Sequence, residues 1–279
     1  MKLFVAMTAL LLQFLQANAE AGVKPDRLVP YKSVGETELR LHAFLPPGHQ
    51  ATDQRPAIVF FFGGGWMMGT TAQFYAHARH FADRGLVAFA AEYRVRNEHG
   101  VSPRECVMDA KSAVRWVRGH AREYGVDPDR IIAAGASAGG HLAAATAMLA
   151  SFDDPGDDRS ISCRPQALVL FNPVFDNGPG GYGHDRVKKY WREISPMEHI
   201  GSNLPPTVLF FGTKDEYVPV ATAERFQRLM QEHGNRCELH LYPDQAHGFF
   251  NVSNRVYFEK TLREADRFLV SLGFLPPAK

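Results

Sequence analysis

Cysteine is scarce in this chain. The three present, Cys106, Cys163 and Cys237, are odd in number and follow no metal-ligand spacing, so neither a disulfide framework nor a thiolate metal centre organises the protein. An exported protein could pair two of them, although scattered cysteines of this kind are more often small buried residues. Charge of one sign is lacking too: 31 basic against 30 acidic residues leave a formal net charge of +1. That balance offers no electrostatic footprint for nucleic acid or an acidic membrane as partner. There is no internal repeat and no low-complexity tract, which excludes solenoids and arrays. Long apolar runs are missing except at the start, where Lys2 precedes the apolar core Leu3 to Leu15 and Ala17-Asn18-Ala19 offers an A-x-A cleavage site before Glu20. The core is shorter than the roughly 20 residues a membrane span needs. Residues 1–19 therefore read as a cleaved secretory signal, with an uncleaved anchor or a buried helix as alternatives. The expectation is a secreted or periplasmic protein with no stable membrane insertion, its net charge zero once Lys2 is removed.

What remains, residues 20–279, has an ordinary globular composition, 45% apolar and 22% charged, and a length that one large α/β domain can fill. Tyr31 to Val34 and Glu38 to Phe44 bracket Gly35-Glu36-Thr37 and alternate in polarity, predicting a half-exposed antiparallel hairpin. Continuous apolar runs, Ala57 to Phe62, Leu86 to Ala91, Ile131 to Ala134, Ala167 to Phe171 and Thr207 to Phe211, read as strands buried on both faces. Between them lie predicted helices at Gln73 to Arg84, around Val107, Ala110, Val114 and Val117, and at Val220 to Met230; a strand at Glu238 to Tyr242 and a helix at about Arg255 to Leu272 close the chain. In the second of those helices Asp109, Lys111 and Arg115 fall opposite the apolar stripe. Ser151 to Ser162, with four aspartates, reads as a solvated loop, a calcium loop being the alternative. Strands alternating with helices predict a mostly parallel sheet of about eight strands covered on both faces.

Such sheets place ligands beyond the carboxyl ends of their strands, so chemistry is sought in the loops that follow them. After Ile131 to Ala134 comes Gly135-Ala136-Ser137-Ala138-Gly139-Gly140 and then the alanine-rich helix from His141, the strand, turn and helix that a G-x-S-x-G nucleophile elbow requires. Its glycines permit a sharp, strained turn that presents the Ser137 hydroxyl. The Ala138 N–H opens the helix unpaired, aimed where an oxyanion would develop. After Phe62 comes Gly63-Gly64-Gly65-Trp66, whose glycines cost entropy and add no packing; they suit backbone N–H groups that something approaches closely, making Gly64 and Gly65 further oxyanion donors. Asp215 follows the Thr207 to Phe211 strand and His247 the Glu238 to Tyr242 strand. Glu216 and Asp244 are alternatives for the acid. A serine hydroxyl needs a base to take its proton, histidine titrates in the right range to accept and return it, and an acid would fix the imidazole tautomer. His141 reads as a packing residue. Phe175 to Pro206, carrying Tyr182, His184, Tyr190 and Trp191 among glycines, reads as a short lid or substrate wall; Trp66, Tyr190 and Trp191 are the candidate substrate-binding residues. No metal or organic cofactor is called for.

The runs Phe62-Gly63-Gly64-Gly65-Trp66, Glu92-Tyr93-Arg94-Val95 and Asp127-Pro128-Asp129-Arg130-Ile131 leading to the elbow resemble the hormone-sensitive-lipase-like α/β-hydrolases, within them the exported bacterial acetyl and feruloyl esterases. The resemblance covers Tyr31 to the C-terminus. It implies a serine carboxylesterase with the family's serine, aspartate and histidine on Ser137, Asp215 and His247, acting on short-chain acyl or feruloyl esters of plant carbohydrate. Two departures stand out. Phe62 replaces the histidine that usually precedes the three glycines, so packing by Phe62 and Trp66 has to hold that loop. The short stretch before Ala57 leaves little room for a two-helix N-terminal cap, which implies an open cleft. An amidase or formamidase with the same triad, and a binding protein that kept the fold, are the competing readings; the polar, glycine-rich lid segment disfavours a lipase.

Overall fold

Residues 22–277 are described by the structure, a computed structural model; the signal segment at 1–19 lies outside them. The apolar runs become strands β1 (Arg27–Val34), β2 (Thr37–Phe44), β3 (Arg55–Phe61), β4 (Val87–Ala91), β5 (Val126–Ala136), β6 (Ala167–Phe171), β7 (Thr207–Gly212) and β8 (Cys237–Tyr242). They form one eight-stranded sheet in the order β1-β2-β4-β3-β5-β6-β7-β8. β2 pairs antiparallel with both β1 and β4, and every other pairing is parallel. Helices α1 (Tyr75–Asp83), α3 (Pro103–Gly119), α4 (Ala138–Met148), α7 (Val220–Glu232) and α8 (Arg255–Ser271) cover the sheet, and single turns α2 (Arg96–His99), α5 (His184–Val187) and α6 (Trp191–Ile194) lie in its loops.

The strand order positions the site. β4 lies on one side of β3 and β5 on the other, so the loops leaving β3 and β5 diverge and open a crevice where an α/β sheet takes its ligand. Gly63 to Trp66 leave β3 and Ser137 leaves β5. Both strands are held rigidly, because Ile58 to Phe61 and Ile131 to Ala134 are fully buried, where each large apolar side chain gains about 1.5–3 kcal/mol.

α3 starts with a capping box: Ser102 and Glu105 satisfy each other's end of the helix, with Pro103 at its first position. Its far side departs from expectation. Asp109, Lys111 and Arg115 are buried rather than solvated. Arg94 grips Asp109 through two side-chain bonds of 2.8 Å, Lys32 adds contacts of 2.8 Å to Asp109 and 2.7 Å to Asp154, and Arg115 reaches Asp153 at 2.6 Å and Asp157 at 2.8 Å. The segment Ser151 to Ser162 is a surface loop, as expected, anchored on one side by its pairs with Lys32 and α3. Of its four aspartates, Asp153, Asp154 and Asp157 serve ion pairs, and Asp158 accepts from the Ser160 N–H and hydroxyl. Periodicity located the apolar stripe but could not distinguish a solvated face from one buried by ion pairs contributed 38 to 42 residues away.

One buried group runs against local economy. His77 on α1 is fully buried, and neither ring nitrogen has a hydrogen-bond partner; Phe60, Phe74, Phe171, Phe250 and Phe258 surround it. Burial pushes its pKa down to about 3. The folded pKa therefore lies below the unfolded value near 6.5, so its neutral form supports the fold above that value and this support is lost as pH falls towards 3. His77→Leu removes two unsatisfied nitrogens and is expected to stabilise by about 1–3 kcal/mol, raising the midpoint in thermal melts at pH 7 and flattening the loss between pH 6.5 and 4. A lower melting point at pH 7 would mean that the nitrogens are satisfied after all.

Candidate active site

Ser137 adopts φ 53° and ψ −119°, a strained conformation for a residue with a side chain. Three bonds hold it there. Its N–H donates to Phe171 O at 3.0 Å, and its carbonyl accepts from His141 N at 3.0 Å and Val174 N at 3.2 Å. The glycines around it do a different job from the one expected: the left-handed turn is taken by Ser137 itself, and Gly135 and Gly139 provide close approach. A Cβ on Gly139 would lie 2.0 Å from Phe61 O, and one on Gly135 would lie 2.4 Å from Gly139 O. α4 can start against the ends of β3 and β5 only because both side chains are missing.

Asp215, in the loop after β7, and His247, in the loop after β8, meet each other. His247 Nδ1 lies 2.8 Å from Asp215 Oδ2, with the Asp215 side chain fully buried and that of His247 10% exposed. The other carboxylate oxygen, Asp215 Oδ1, accepts the N–H groups of Tyr217 and Val218 at 2.9 Å each, which fixes the carboxylate plane. Because a carboxylate only accepts, Nδ1 carries the ring proton and Nε2 offers a lone pair. Glu216, the alternative acid, points elsewhere and accepts the backbone N–H of His247 at 3.2 Å. Asp244 pairs with Lys214 at the surface.

The glycine loop after β3 is held without the usual histidine. Phe62 stacks on Tyr93 with centroids 4.1 Å apart and planes 16° from parallel, Tyr93 Oη donates to Phe62 O at 2.8 Å, and Gln73 Oε1 accepts the Gly63 N–H at 2.7 Å. α2 completes the clamp as Arg96 and Asn97 donate to the carbonyls of Trp66 and Met67 at 3.0 Å. Gly64 has φ 123° and Gly65 φ 62°; a Cβ on Gly64 would sit 1.9 Å from Met68 O, so the loop is closed to larger residues. Among the described residues the N–H groups of Gly64, Gly65 and Ala138 have no hydrogen-bond partner, leaving three donors for an incoming oxyanion.

The proposed substrate-binding aromatics fare differently. Trp66 is only 1% exposed; its indole meets His141 edge-on at 5.1 Å and Tyr182 at 5.9 Å, forming the floor beneath the lid rather than a stacking surface. Tyr190 bonds Ser102 Oγ at 3.3 Å and packs on Phe152 and Arg104, while Trp191 packs on Arg192 and His184. Neither has an aromatic or hydrogen-bond contact with the triad among the described residues. The lid residue that does turn inwards is Tyr182: its ring lies 6.1 Å from Tyr217, which itself stands edge-on to His247 at 5.0 Å. Arg186 lies under the Tyr182 ring and donates to Gly65 O at 2.8 Å. A chain of rings, Trp66, Tyr182, Tyr217 and His247, thus spans the mouth from the glycine loop to the histidine. In the sequence Tyr182 and Tyr217 were two tyrosines among nine, with nothing local to mark them. His141 is buried as expected, accepted by Ile194 O at 2.8 Å, and desolvation pushes its pKa down to about 4 although that bond opposes the shift.

Comparison with known proteins follows the same division of the chain. The BD-FAE family model matches residues 41–171, which carry the glycine loop and the elbow, and the prolyl oligopeptidase family model matches residues 172–271, which carry Asp215 and His247. The structure of Thermogutta terrifontis esterase 2 phosphoramylated by tabun superposes with a TM-score of 0.88 at 46% identity, covering 90% of this chain and 96% of that one. The chain belongs to the α/β-hydrolase esterases. The same Thermogutta esterase, with propionate bound, matches at 44% identity and a TM-score of 0.87 over 94% of this chain and 98% of that one. Among curated proteins, a probable isoprenylcysteine alpha-carbonyl methylesterase of Arabidopsis thaliana is 29% identical over 75% of this chain and 48% of its own length. An acetylxylan esterase of Xylanibacter ruminicola is 27% identical over 77% of this chain and 45% of its own length. This esterase spans about half the length of the curated relatives it matches. Its free cysteines, Cys106 and Cys237 buried and Cys163 partly so, match the small-residue expectation.

Proposed function

We propose that this esterase is a serine carboxylesterase for short-chain acyl esters, with acetyl or feruloyl groups on plant carbohydrate as its physiological substrates and export through residues 1–19 as its route to them. The observations that carry the chemistry are the 2.8 Å contact between His247 Nδ1 and Asp215, whose side chain is fully buried, and the strained backbone of Ser137 in the turn after β5. His247 Nε2 takes the Ser137 proton as Oγ attacks the ester carbonyl. The oxyanion that forms is held by the N–H groups of Gly64, Gly65 and Ala138, each such donor supplying about two to three orders of magnitude in rate. Imidazolium then protonates the departing alcohol, and water cleaves the acyl-enzyme by the same route.

Short acyl groups are supported by the propionate and butyrate complexes of the Thermogutta esterase at 44% and 43% identity. The carbohydrate reading is supported by the acetylxylan esterase relative and by Tyr182 and Tyr217 at the mouth, where a sugar or aryl ring can stack. Hydrolysis of p-nitrophenyl acetate, butyrate and palmitate, methyl ferulate, acetylated xylan and p-nitroacetanilide tests the reading. Turnover of acetate or butyrate and of xylan or ferulate, with palmitate and the anilide inert, is the expected pattern. Preference for palmitate or the anilide would contradict it.

A further inference from the structure

His247 Nε2 does not point at an unoccupied space. The side-chain amide nitrogen of Asn172 lies 3.1 Å from it, whereas Ser137 Oγ has no hydrogen-bond partner among the described residues. Asn172 directly follows β6, is fully buried and holds φ 36°, a left-handed conformation that asparagine, aspartate and glycine tolerate best. Its Oδ1 is buried and unpartnered. The amide closes no Asx turn: within the described residues the side chain's one hydrogen-bond partner is His247, 75 positions away. A buried polar group left half-satisfied calls for an explanation of this kind.

We propose that Asn172 is a positioning residue that donates an N–H to the Nε2 lone pair of His247 and holds the imidazole in its resting orientation until substrate enters. The proposal rests on the reading of His247 as the general base. Nδ1 is committed to Asp215 as a donor, so Nε2 can only accept while the ring is neutral, and the amide nitrogen is the atom that fits. Protonation of Nε2 sets two donors against each other and breaks the bond. A hydrogen bond to the neutral form disfavours protonation. Asp215 at Nδ1, Glu216 at the backbone N–H, Tyr217 against the ring face and Asn172 at Nε2 are the groups that face the imidazole, and Asn172 is the one whose removal changes the donor at Nε2.

Two variants test this in the full chain. Asn172→Gly suits the left-handed backbone and deletes the donor; Asn172→Asp keeps the shape but can only accept when ionised. The expected result is that the acid limb of kcat/KM for p-nitrophenyl butyrate moves to higher pH by about 0.5–1 unit in Asn172→Gly, and further in Asn172→Asp, with a lower plateau. Ring nitrogen NMR provides a readout independent of turnover: the Nε2 resonance of His247 moves in Asn172→Gly while that of Nδ1 stays. A residue that only supports the turn would lower the rate equally at every pH and leave the His247 resonances in place, and that outcome overturns the proposal. An unmoved limb together with an unmoved Nε2 resonance in both variants does the same. Persistence of ester turnover in Ser137→Ala would instead overturn the triad reading, and the NMR comparison would still decide whether Asn172 holds the ring.

Discussion

Ser137→Ala folds with an unchanged melting profile and loses ester turnover by roughly four to six orders of magnitude, about 5–8 kcal/mol of transition-state stabilisation. The fold tolerates the change because the elbow is held by backbone bonds from Phe171, His141 and Val174, none of which involves the hydroxyl. Activity disappears because the hydroxyl that attacks the ester carbonyl is gone. The residual rate reports what the oxyanion donors and binding accomplish alone. Turnover within tenfold of wild type, measured with p-nitrophenyl butyrate on protein free of contaminating esterase, would place the nucleophile elsewhere.

Asp215→Asn has the second large effect, a fall in kcat of about four orders of magnitude. The amide can keep the contacts made by Oδ1 with the N–H groups of Tyr217 and Val218. Facing Nδ1, however, it can present a donor that selects the wrong tautomer and removes the negative charge that stabilises imidazolium. The neighbouring Glu216→Gln provides the control. Glu216 accepts only the His247 backbone N–H, and a glutamine oxygen can accept the same bond, so kcat changes by less than about fivefold. Steady-state kinetics on the pair decide the matter, and the reverse pattern would transfer the acid role to Glu216.

The parts of this site that were legible in the sequence share a property: each is announced by its own neighbours. Ser137 sits in a glycine-flanked turn between an apolar run and a helix, and Asp215 and His247 lie in the loops after β7 and β8, so chain order and the rule that α/β sheets bind ligands at strand ends were enough to name them as candidates, of which the fold brings Asp215 and His247 into contact. The sheet was legible for the same reason, since β3, β4, β6 and β7 are uninterrupted apolar runs. What stayed hidden depends on residues distant in the chain. Asn172 meets His247 across 75 positions, and Tyr182 meets Tyr217 across 35. Tyr190 and Trp191 were favoured as substrate-binding residues for their chemistry alone, and the fold sets them against Ser102, Phe152 and Arg104 and against His184 and Arg192 respectively. Phe62 illustrates a third case. The missing histidine implied that packing by Phe62 and Trp66 has to hold the glycine loop; Phe62 does pack there, but on Tyr93, which stacks on its ring and bonds its carbonyl.

The role of Asp109, Lys111 and Arg115 shows why a periodic pattern underdetermines burial. A helix face of charged residues is solvated unless partners of opposite sign are folded onto it, and here Lys32, Arg94 and the Ser151 to Ser162 segment are. Burial pulls the Asp153 carboxyl upwards, but Arg115 and Lys111 outweigh it and leave it below its ordinary range. That contribution is present above the unfolded pKa and is lost as pH falls through the lower folded one, the same direction as the effect of His77.

The central claim, that Ser137 is the nucleophile served by His247 and the three backbone donors, is tested most directly by covalent labelling. The Thermogutta esterase has been solved phosphorylated by paraoxon; treating this esterase with paraoxon and mapping the adduct by peptide mass spectrometry asks where its own reactive oxygen lies. One adduct per chain on the peptide carrying Ser137, formed in step with the loss of ester turnover and absent from Ser137→Ala, is the predicted result. An adduct on any other residue, or complete inactivation with Ser137 unmodified, would contradict it.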